Sequence, residues 1–187
     1  MSPLRSGQLI NLQIKLFAVE KERMVGVDEL AKLLDLEPHP SGCTGWFRQT
    51  FADSTTVDTA GGEKAASTAI YFLQRKGMSS TFHRQRSAEV FHHYIGAPLA
   101  LYWIDGSGLM NKAILGKDLT KGQRPQVVMP AEVWFAQRIE EGEKGDFCLT
   151  GVTVAPGWNL DDMDFPSTEE LLKLFPQHEN IIKEMGQ

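Results

Sequence analysis

Residues 77–96 read GMSSTFHRQRSAEVFHHYIG and contain three of the five histidines of the chain. The segment also carries Glu89 and two arginines. Its runs TFHRQ and EVFHHYI are bounded by serine or glycine, which is typical of short β-strands joined by a turn. If the protein has a chemical site, we expect it here.

The chain after residue 66 continues as a series of short strand-like runs. They are bounded by Gly, Pro, Asp or Ser at the spacing of an antiparallel sandwich or barrel. Asp105-Gly106-Ser107-Gly108 is typical of a hairpin turn, because glycine adopts positive φ at little steric cost. The sequence lacks a βαβ alternation, so we predict a mainly β fold. The runs are STAIYFLQ, TFHRQ, EVFHHYI, LALYWID, LMNKAIL, QVVMP, VWFAQRI and FCLTGVTVAP.

Helices are predicted on both sides of this region. From Val27 the leucines recur at helical spacing behind two acidic residues, and this helix should end by Pro38. In the tail, Ser167 and Glu170 have the spacing of a capping box, and two short helices are predicted over residues 167–185. We expect these helices to pack on the outside of the barrel.

Two other segments allow more than one interpretation. Residues 10–16 alternate strictly between apolar and polar side chains, which predicts a half-buried strand. This strand belongs either at an edge of the protein's own sheet or against a second subunit. Residues 52–66 are polar, small and glycine-bearing, and we interpret them as a mobile surface loop, either an inert connection or a flap over a pocket.

Composition limits the function classes. The 187 residues and 42% apolar content are enough for one sizeable core in a single domain. A net charge of −5 argues against a nucleic-acid partner, and the sequence shows neither a spanning apolar run nor a secretory leader. We therefore expect a cytoplasmic protein without a membrane partner, in which Cys43 and Cys148 are reduced thiols.

The spacing within residues 77–96 resembles the first motif of the cupin superfamily. The matching residues are, in order, Gly77, His83, Gln85, Glu89 and Gly96. Gln85 stands where that motif has its second histidine. A later segment resembles the second cupin motif more loosely, with Glu132 in place of its glycine and Phe135 in place of its histidine.

More specifically, the chain is similar to the uncharacterised cupin_5 (DUF985) family over roughly residues 27–160. The resemblance implies a double-stranded β-helix, an RmlC-like jelly-roll barrel with a few peripheral helices, often dimeric and without an established reaction. We accordingly expect one cupin domain over residues 1–187 and a homodimer. The segments that carry the resemblance are EPHP at 37–40, WFRQT at 46–50, STAIYF at 67–72, FHR at 82–84, EVFH at 89–92, RPQVV at 124–128 and GVTVAPG at 151–157.

The resemblance also identifies the positions that would hold a metal. In a metal-binding cupin three imidazoles and one carboxylate converge inside the barrel, and the corresponding residues here are His83, Gln85, Glu89 and Phe135. Phenylalanine has no lone pair to donate and an amide oxygen is a weak ligand for a transition metal. We therefore expect no metal cofactor. A divalent metal on His83 and Glu89, completed by His92 or His93, is the alternative.

Strand geometry predicts which side chains share a pocket. If Glu89 points inward, Phe91 and His93 share its face while His92 points away, unless a bulge intervenes. Phe135 and Gln137 should line the interior in the same way. The predicted ligand-binding residues are Arg48, His83, Gln85, Glu89, Phe91, His93, Phe135 and Gln137.

Three functions fit such a pocket. The first is binding of a small molecule, such as a sugar or nucleotide derivative, without catalysis. The second is a metal-independent epimerase or isomerase, with His83 as general base beside Glu89 and arginines such as Arg84, Arg86 and Arg124 holding a phosphate. The third is a metal-dependent oxygenase. For His83 and Glu89 the alternative to any such role is that they satisfy each other inside the barrel.

Overall fold

The computed structural model of the chain describes residues 26–40 and 45–186. The predicted strand at 10–16 and Cys43 lie outside these residues. The strands are β1 (Glu37–Pro38), β2 (Trp46–Ala52), β3 (Thr56–Thr59), β4 (Gly62–Ala65), β5 (Thr68–Arg75), β6 (His83–Gln85), β7 (Ala88–Gly96), β8 (Leu99–Ile104), β9 (Met110–Leu115), β10 (Gln126–Met129), β11 (Trp134–Ile139), β12 (Phe147–Ala155) and β13 (Met163–Asp164). The α-helices are α1 (Val27–Leu33), α2 (Thr168–Leu174) and α3 (Glu179–Met185), and short 3₁₀ turns cover Leu119–Lys121, Leu160–Asp162 and Pro176–His178.

Two antiparallel sheets form the body of the protein. The larger has the strand order β1-β2-β5-β12-β7-β10 and the smaller has the order β13-β6-β11-β8-β9. Side chains from both sheets pack together in the largest core cluster, among them Phe91 and Val152 from the first sheet and Leu101 and Phe135 from the second. This arrangement is the jelly-roll barrel predicted from the sequence, and all eight predicted runs form strands.

Side-chain alternation also buries the outer face of the smaller sheet. On β8, Leu99 and Leu101 enter the central core, whereas Tyr102 and Ile104 pack against the C-terminal helices. Helices α2 and α3 cover this face, with Leu171, Ile182 and Met185 almost fully buried. The predicted capping box is present at the start of α2, because the Ser167 hydroxyl accepts from the Glu170 N–H and the Glu170 carboxylate accepts from the Ser167 N–H.

Helix α1 covers part of the outer face of the larger sheet. Val27 and Leu30 lie one helical turn apart and pack against Leu73 of β5 and Leu149 of β12. The helices predicted from the sequence are therefore present on both outer faces. No helix within residues 26–40 and 45–186 is long and apolar enough to cross a membrane.

The loop predicted over residues 52–66 is wrong, because this segment forms a hairpin. Strands β3 and β4 pair from Thr56↔Ala65 to Thr59↔Gly62, which leaves a two-residue turn. The turn is held by the Thr59 hydroxyl, which donates to the Gly62 carbonyl at 2.7 Å, and Gly62 adopts a φ of +99°. The sequence gives little strand signal here because most of the paired residues are polar or small, and half of them are exposed.

Candidate functional site

A cavity lies inside the barrel between the two sheets. The centre of a water molecule can occupy about 50 Å³ of it, which is room for a few waters or one compact organic group. Its floor consists of buried strand residues, and its mouth consists of half-buried residues. The floor contains Thr68, Phe72, His83, Glu89, Phe91, Phe135, Gln137, Val152 and Val154, and the mouth contains His39, Phe47, Ile70, Trp158 and Met163.

Glu89 is the acidic residue of the floor. It lies on β7 in the larger sheet, with 7% of its surface exposed. Within the described residues its carboxyl group makes neither a hydrogen bond nor an ion pair, and burial alone raises its pKa to about 8. At neutral pH the carboxyl group is therefore mostly protonated and uncharged.

His83 lies opposite, on β6 of the smaller sheet. Its Nδ1 is 2.8 Å from the Thr81 carbonyl oxygen. Because a carbonyl oxygen only accepts, Nδ1 carries the proton and Nε2 is left as an acceptor. Burial lowers the pKa of this imidazole to about 4, so His83 is neutral at physiological pH.

His83 and Glu89 line one cavity but do not form an ion pair. The carboxyl group does not contribute to the lowered pKa of His83, and the imidazole does not contribute to the raised pKa of Glu89. The interpretation in which the two residues satisfy each other is therefore wrong. A general base at His83 that is assisted by Glu89 is equally unsupported, since an imidazole with a pKa of about 4 is a weak base.

Gln137 adds a third polar group to the floor. Its backbone is fixed on β11, because its N–H donates to the Ser80 hydroxyl at 2.9 Å and its carbonyl accepts from Ser80 and from the Gln74 amide. The side-chain oxygen Oε1, by contrast, is buried and has no hydrogen-bond partner within the described residues. A buried acceptor without a partner costs about 1–3 kcal/mol.

Aromatic rings form much of the remaining wall. Phe135 packs against the His83 ring at a centroid distance of 4.1 Å and meets Phe91 edge-on at 6.1 Å. At the mouth, the His39 ring packs edge-on against Phe47 at 4.8 Å and Trp158 at 5.7 Å. Burial also lowers the pKa of His39 to about 4.

Sequence reasoning missed His39 and Trp158 as cavity residues. Both lie in connecting segments, where strand alternation gives no information about direction. In the sequence His39 belongs to the EPHP segment that carries the family resemblance, whereas Trp158 lies outside every predicted strand. The signal available in the sequence was the position of His39 in that segment.

Three predicted pocket residues do not line the cavity. Arg48 lies on the outer face of β2, where its guanidinium donates to the Asp35 carboxylate at 2.8 Å. Gln85 is buried, and its side-chain oxygen accepts from the Arg86 N–H at 2.9 Å, while its Nε2 lacks a partner in the described part of the chain. His93 is half-buried beyond the cavity, with Nε2 3.3 Å from the Ala97 carbonyl oxygen.

A bulge follows His93 on β7. In the pairing of β7 with β12, His93 faces Thr150 and Ile95 faces Leu149, so Tyr94 is the extra residue. The Tyr94 ring lies close against Gly151, where a Cβ atom would clash with its hydroxyl. Glu89, Phe91 and His93 precede the bulge and share one register, and of these three only Glu89 and Phe91 line the cavity.

The arginines proposed to hold a phosphate do not line the cavity either. The Arg84 guanidinium donates to the Asp164 carboxylate at 2.6 Å and lies 4.6 Å from the Trp134 ring centre. Arg86 is 4.0 Å from Asp162, and Arg124 donates to the Gln123 carbonyl. These arginines therefore form surface and local pairs in place of a phosphate site.

A hydrogen bond and an ion pair join the hairpin β3–β4 to the segment that follows β12. The Gly157 N–H donates to the Ala65 carbonyl at 2.8 Å. The Lys64 ammonium pairs with the Asp162 carboxylate, and the two side chains are only 7% and 4% exposed. Because Trp158 lies within the same segment, this ion pair holds one side of the cavity mouth in place.

The cavity residues do not fit a cupin metal centre. Phe135 has no donor atom, and the donor oxygen of Gln85 is already engaged by the Arg86 N–H. Residues 26–40 and 45–186 contain no group of three or more His, Cys, Asp or Glu side chains that could hold a metal ion. Cys148 is a buried free thiol whose pKa is raised to about 12 by burial, and it belongs to the apolar core.

The two-sheet barrel with a pocket between its sheets is the architecture that the sequence resemblance to cupins implies. The chain belongs to the Cupin_5 family, described as Cupin superfamily (DUF985), whose model matches residues 28–166. This finding confirms the family resemblance seen in the sequence. No curated protein matches the chain.

Solved structures agree with this assignment. A protein from Shewanella oneidensis is 33% identical, with a TM-score of 0.77 over 86% of this chain and 96% of the other. A hypothetical protein from Leishmania major is 27% identical, with a TM-score of 0.78 over 85% and 97% of the two chains. A cupin 2 conserved barrel domain protein from Rhodopseudomonas palustris, 14% identical with a TM-score of 0.51 over 80% and 86%, shares the fold alone.

Proposed function

We propose that the protein binds a compact, largely apolar small molecule inside its barrel. One observation carries the proposal: Glu89 and His83 present polar groups, which have no partner within the described residues, to one cavity with aromatic walls. Ligand pockets combine apolar walls with a few such orienting groups. The free energy lost by leaving these groups unpaired would be recovered when a ligand supplies their partners.

The cavity favours a ligand without phosphate or carboxylate groups. Among residues 26–40 and 45–186 no lysine or arginine lines it, and its two histidines are neutral at physiological pH because burial lowers both pKa values to about 4. Its small volume also disfavours a whole nucleotide sugar. These properties support a compact ligand over the sugar or nucleotide derivative expected from the sequence.

The test is a thermal-shift screen of compact neutral, cationic and anionic compounds, combined with native mass spectrometry of the purified protein. We expect stabilisation that grows with ligand concentration, as RT ln(1 + [L]/Kd) requires. The variant Gln137→Leu keeps the side-chain volume and removes the unpaired amide, so it should weaken binding while Arg48→Leu does not. If compounds of every class leave the melting temperature unchanged and no mass adduct is found, the proposal is wrong.

Glu89 supports a second candidate, an isomerase that works by proton transfer. A carboxyl group with a pKa of about 8 is close to the value suited to a general acid and base at neutral pH. This residue replaces His83 as the proton-transfer group of the isomerase alternative. The check is deuterium incorporation from solvent into compact keto compounds, which should occur with the wild type and stop in Glu89→Gln.

A further inference from the structure

We infer that the ligand of the cavity is a small organic cation, specifically a protonated alkylamine. This inference rests on the proposed function and adds to it the chemical class of the ligand. It is drawn from the charges, hydrogen-bonding groups and ring types of the cavity walls.

The cavity presents two groups that can accept a hydrogen bond from an ammonium ion, the Glu89 carboxyl and His83 Nε2, and neither has a partner in the described part of the chain. Thr68 and Gln137 also line the cavity and carry a hydroxyl and an amide that can donate. The indole N–H of Trp158 is directed at the Met163 sulfur, at 3.2 Å. The His83 Nδ1–H is taken by Thr81. An ammonium group carries only donors, so it matches such a wall.

The charges match a cation as well. Of the described residues that line the cavity, Glu89 is the one with a carboxyl group and none is a lysine or arginine. A buried carboxylate without a counter-charge is strongly disfavoured, so Glu89 keeps its proton when no cation is bound. A bound ammonium ion would supply the missing positive charge and allow the carboxyl group to ionise.

The aromatic rings of the cavity walls also favour a cationic ligand. Five aromatic side chains line the cavity: Phe47, Phe72 and Phe91 from the larger sheet, Phe135 from the smaller one, and Trp158 from the segment between β12 and β13. Aromatic rings attract cations through the negative potential of their faces, by about 0.5–2 kcal/mol for each favourable contact. Alkyl groups of the amine would at the same time bury their apolar surface against these rings.

Three probes of nearly one shape isolate the effect of charge: tert-butylammonium, tert-butanol and pivalate. Each gives a strong proton NMR singlet, so binding to the wild-type chain can be followed by ligand line broadening and titration. We expect tert-butylammonium to bind at least about tenfold more tightly than tert-butanol, a ratio that corresponds to about 1.4 kcal/mol. Pivalate should bind most weakly.

Glu89→Gln is the decisive variant, because it keeps the shape and removes the ionisable group. The preference for tert-butylammonium over tert-butanol should disappear in this variant and persist in Glu141→Gln, whose side chain is 75% exposed. Should Glu89→Gln fold poorly, Phe91→Leu replaces one ring in the floor and should reduce the preference. Circular dichroism establishes that each variant is folded.

The outcomes separate this inference from the function on which it rests. If tert-butanol or pivalate binds as tightly as tert-butylammonium, the cavity is a ligand site but the inference of a cationic ligand is wrong. If none of the three probes binds and the broader screen is also negative, both proposals are wrong. If the preference survives in Glu89→Gln, the carboxyl group is not the source of the selectivity and the inference fails.

Discussion

Glu89 and His83 face one cavity from opposite sheets of the barrel, and neither is the partner of the other. Burial shifts both pKa values toward the uncharged forms, to about 8 for the carboxyl group and about 4 for the imidazole. The cavity is therefore nearly free of formal charge between these values. The pH dependence of stability should report this arrangement directly.

Glu89 should make the protein less stable as the pH rises. Its folded-state pKa of about 8 lies above the ordinary 4.5, so the folded protein holds this proton more tightly than the unfolded chain does. The contribution of Glu89 to the free energy of unfolding is full below pH 4.5. It is lost as the pH rises toward 8, at up to about 1.4 kcal/mol per pH unit. Urea unfolding of Glu89→Gln should show a shallower decline over this range than Glu141→Gln does, and an equal decline would contradict the raised pKa.

His83 should have the opposite effect on the acid side. Its folded-state pKa of about 4 lies below 6.5, so its contribution to stability is present above pH 6.5 and is lost as the pH falls toward 4. His39 adds to this loss, whereas Glu89 opposes it in the same range. The variant His83→Gln should therefore lose less stability between pH 6.5 and 4 than the surface variant His92→Gln. A loss of the same size in both would exclude a buried neutral imidazole.

Removal of Lys64 should strongly destabilise the fold. Lys64→Met leaves the buried Asp162 carboxylate with Arg86, at 4.0 Å, as its one cationic neighbour among the described residues. We expect a loss of about 3 kcal/mol in denaturant unfolding, the lower end for a broken buried ion pair, because Arg86 compensates in part. The double variant Lys64→Met/Asp162→Leu should lose much less than the sum of the single variants. Lys121→Met, a control with a side chain that is 59% exposed, should change stability little.

Metal analysis tests the prediction that the residues at the cupin motif positions hold no transition metal. Protein purified without chelator should contain less than about a tenth of an equivalent of any transition metal, because Phe135 and Gln85 cannot complete a set of ligands. Inductively coupled plasma mass spectrometry measures the amount of metal per protein chain. A stoichiometric metal that disappears in His83→Ala would overturn this prediction.

The homodimer stays a prediction. It rests on residues 10–16, whose alternation would place Ile10, Leu12, Ile14 and Leu16 on one face of a strand. Light scattering should give the mass of a dimer for the full chain and of a monomer after deletion of residues 1–20. A monomeric full chain would refute pairing through this strand.

The sequence predicted the strands well because their alternation and turns are local. Each inward position on β7 and β11, from Glu89 to Gln137, follows from counting residues along a strand. Two errors concern residues near the cavity. Arg48 follows Phe47, which lines the cavity, so strand alternation directs its side chain outward, where it meets Asp35. His93 has the register of Glu89 but lies outside the cavity, and how far a cavity extends along a strand depends on contacts between distant segments.

The division of the cavity into floor and mouth has a consequence for its adaptability. The polar floor residues stand at ladder positions fixed by strand register, so exchange of one side chain need not move its neighbours. His39 and Trp158 stand in connecting segments, which accept insertions and substitutions more readily than strands do. Evolution or an engineer can thus alter the size of the molecule admitted at the mouth while the chemistry at Glu89 is retained.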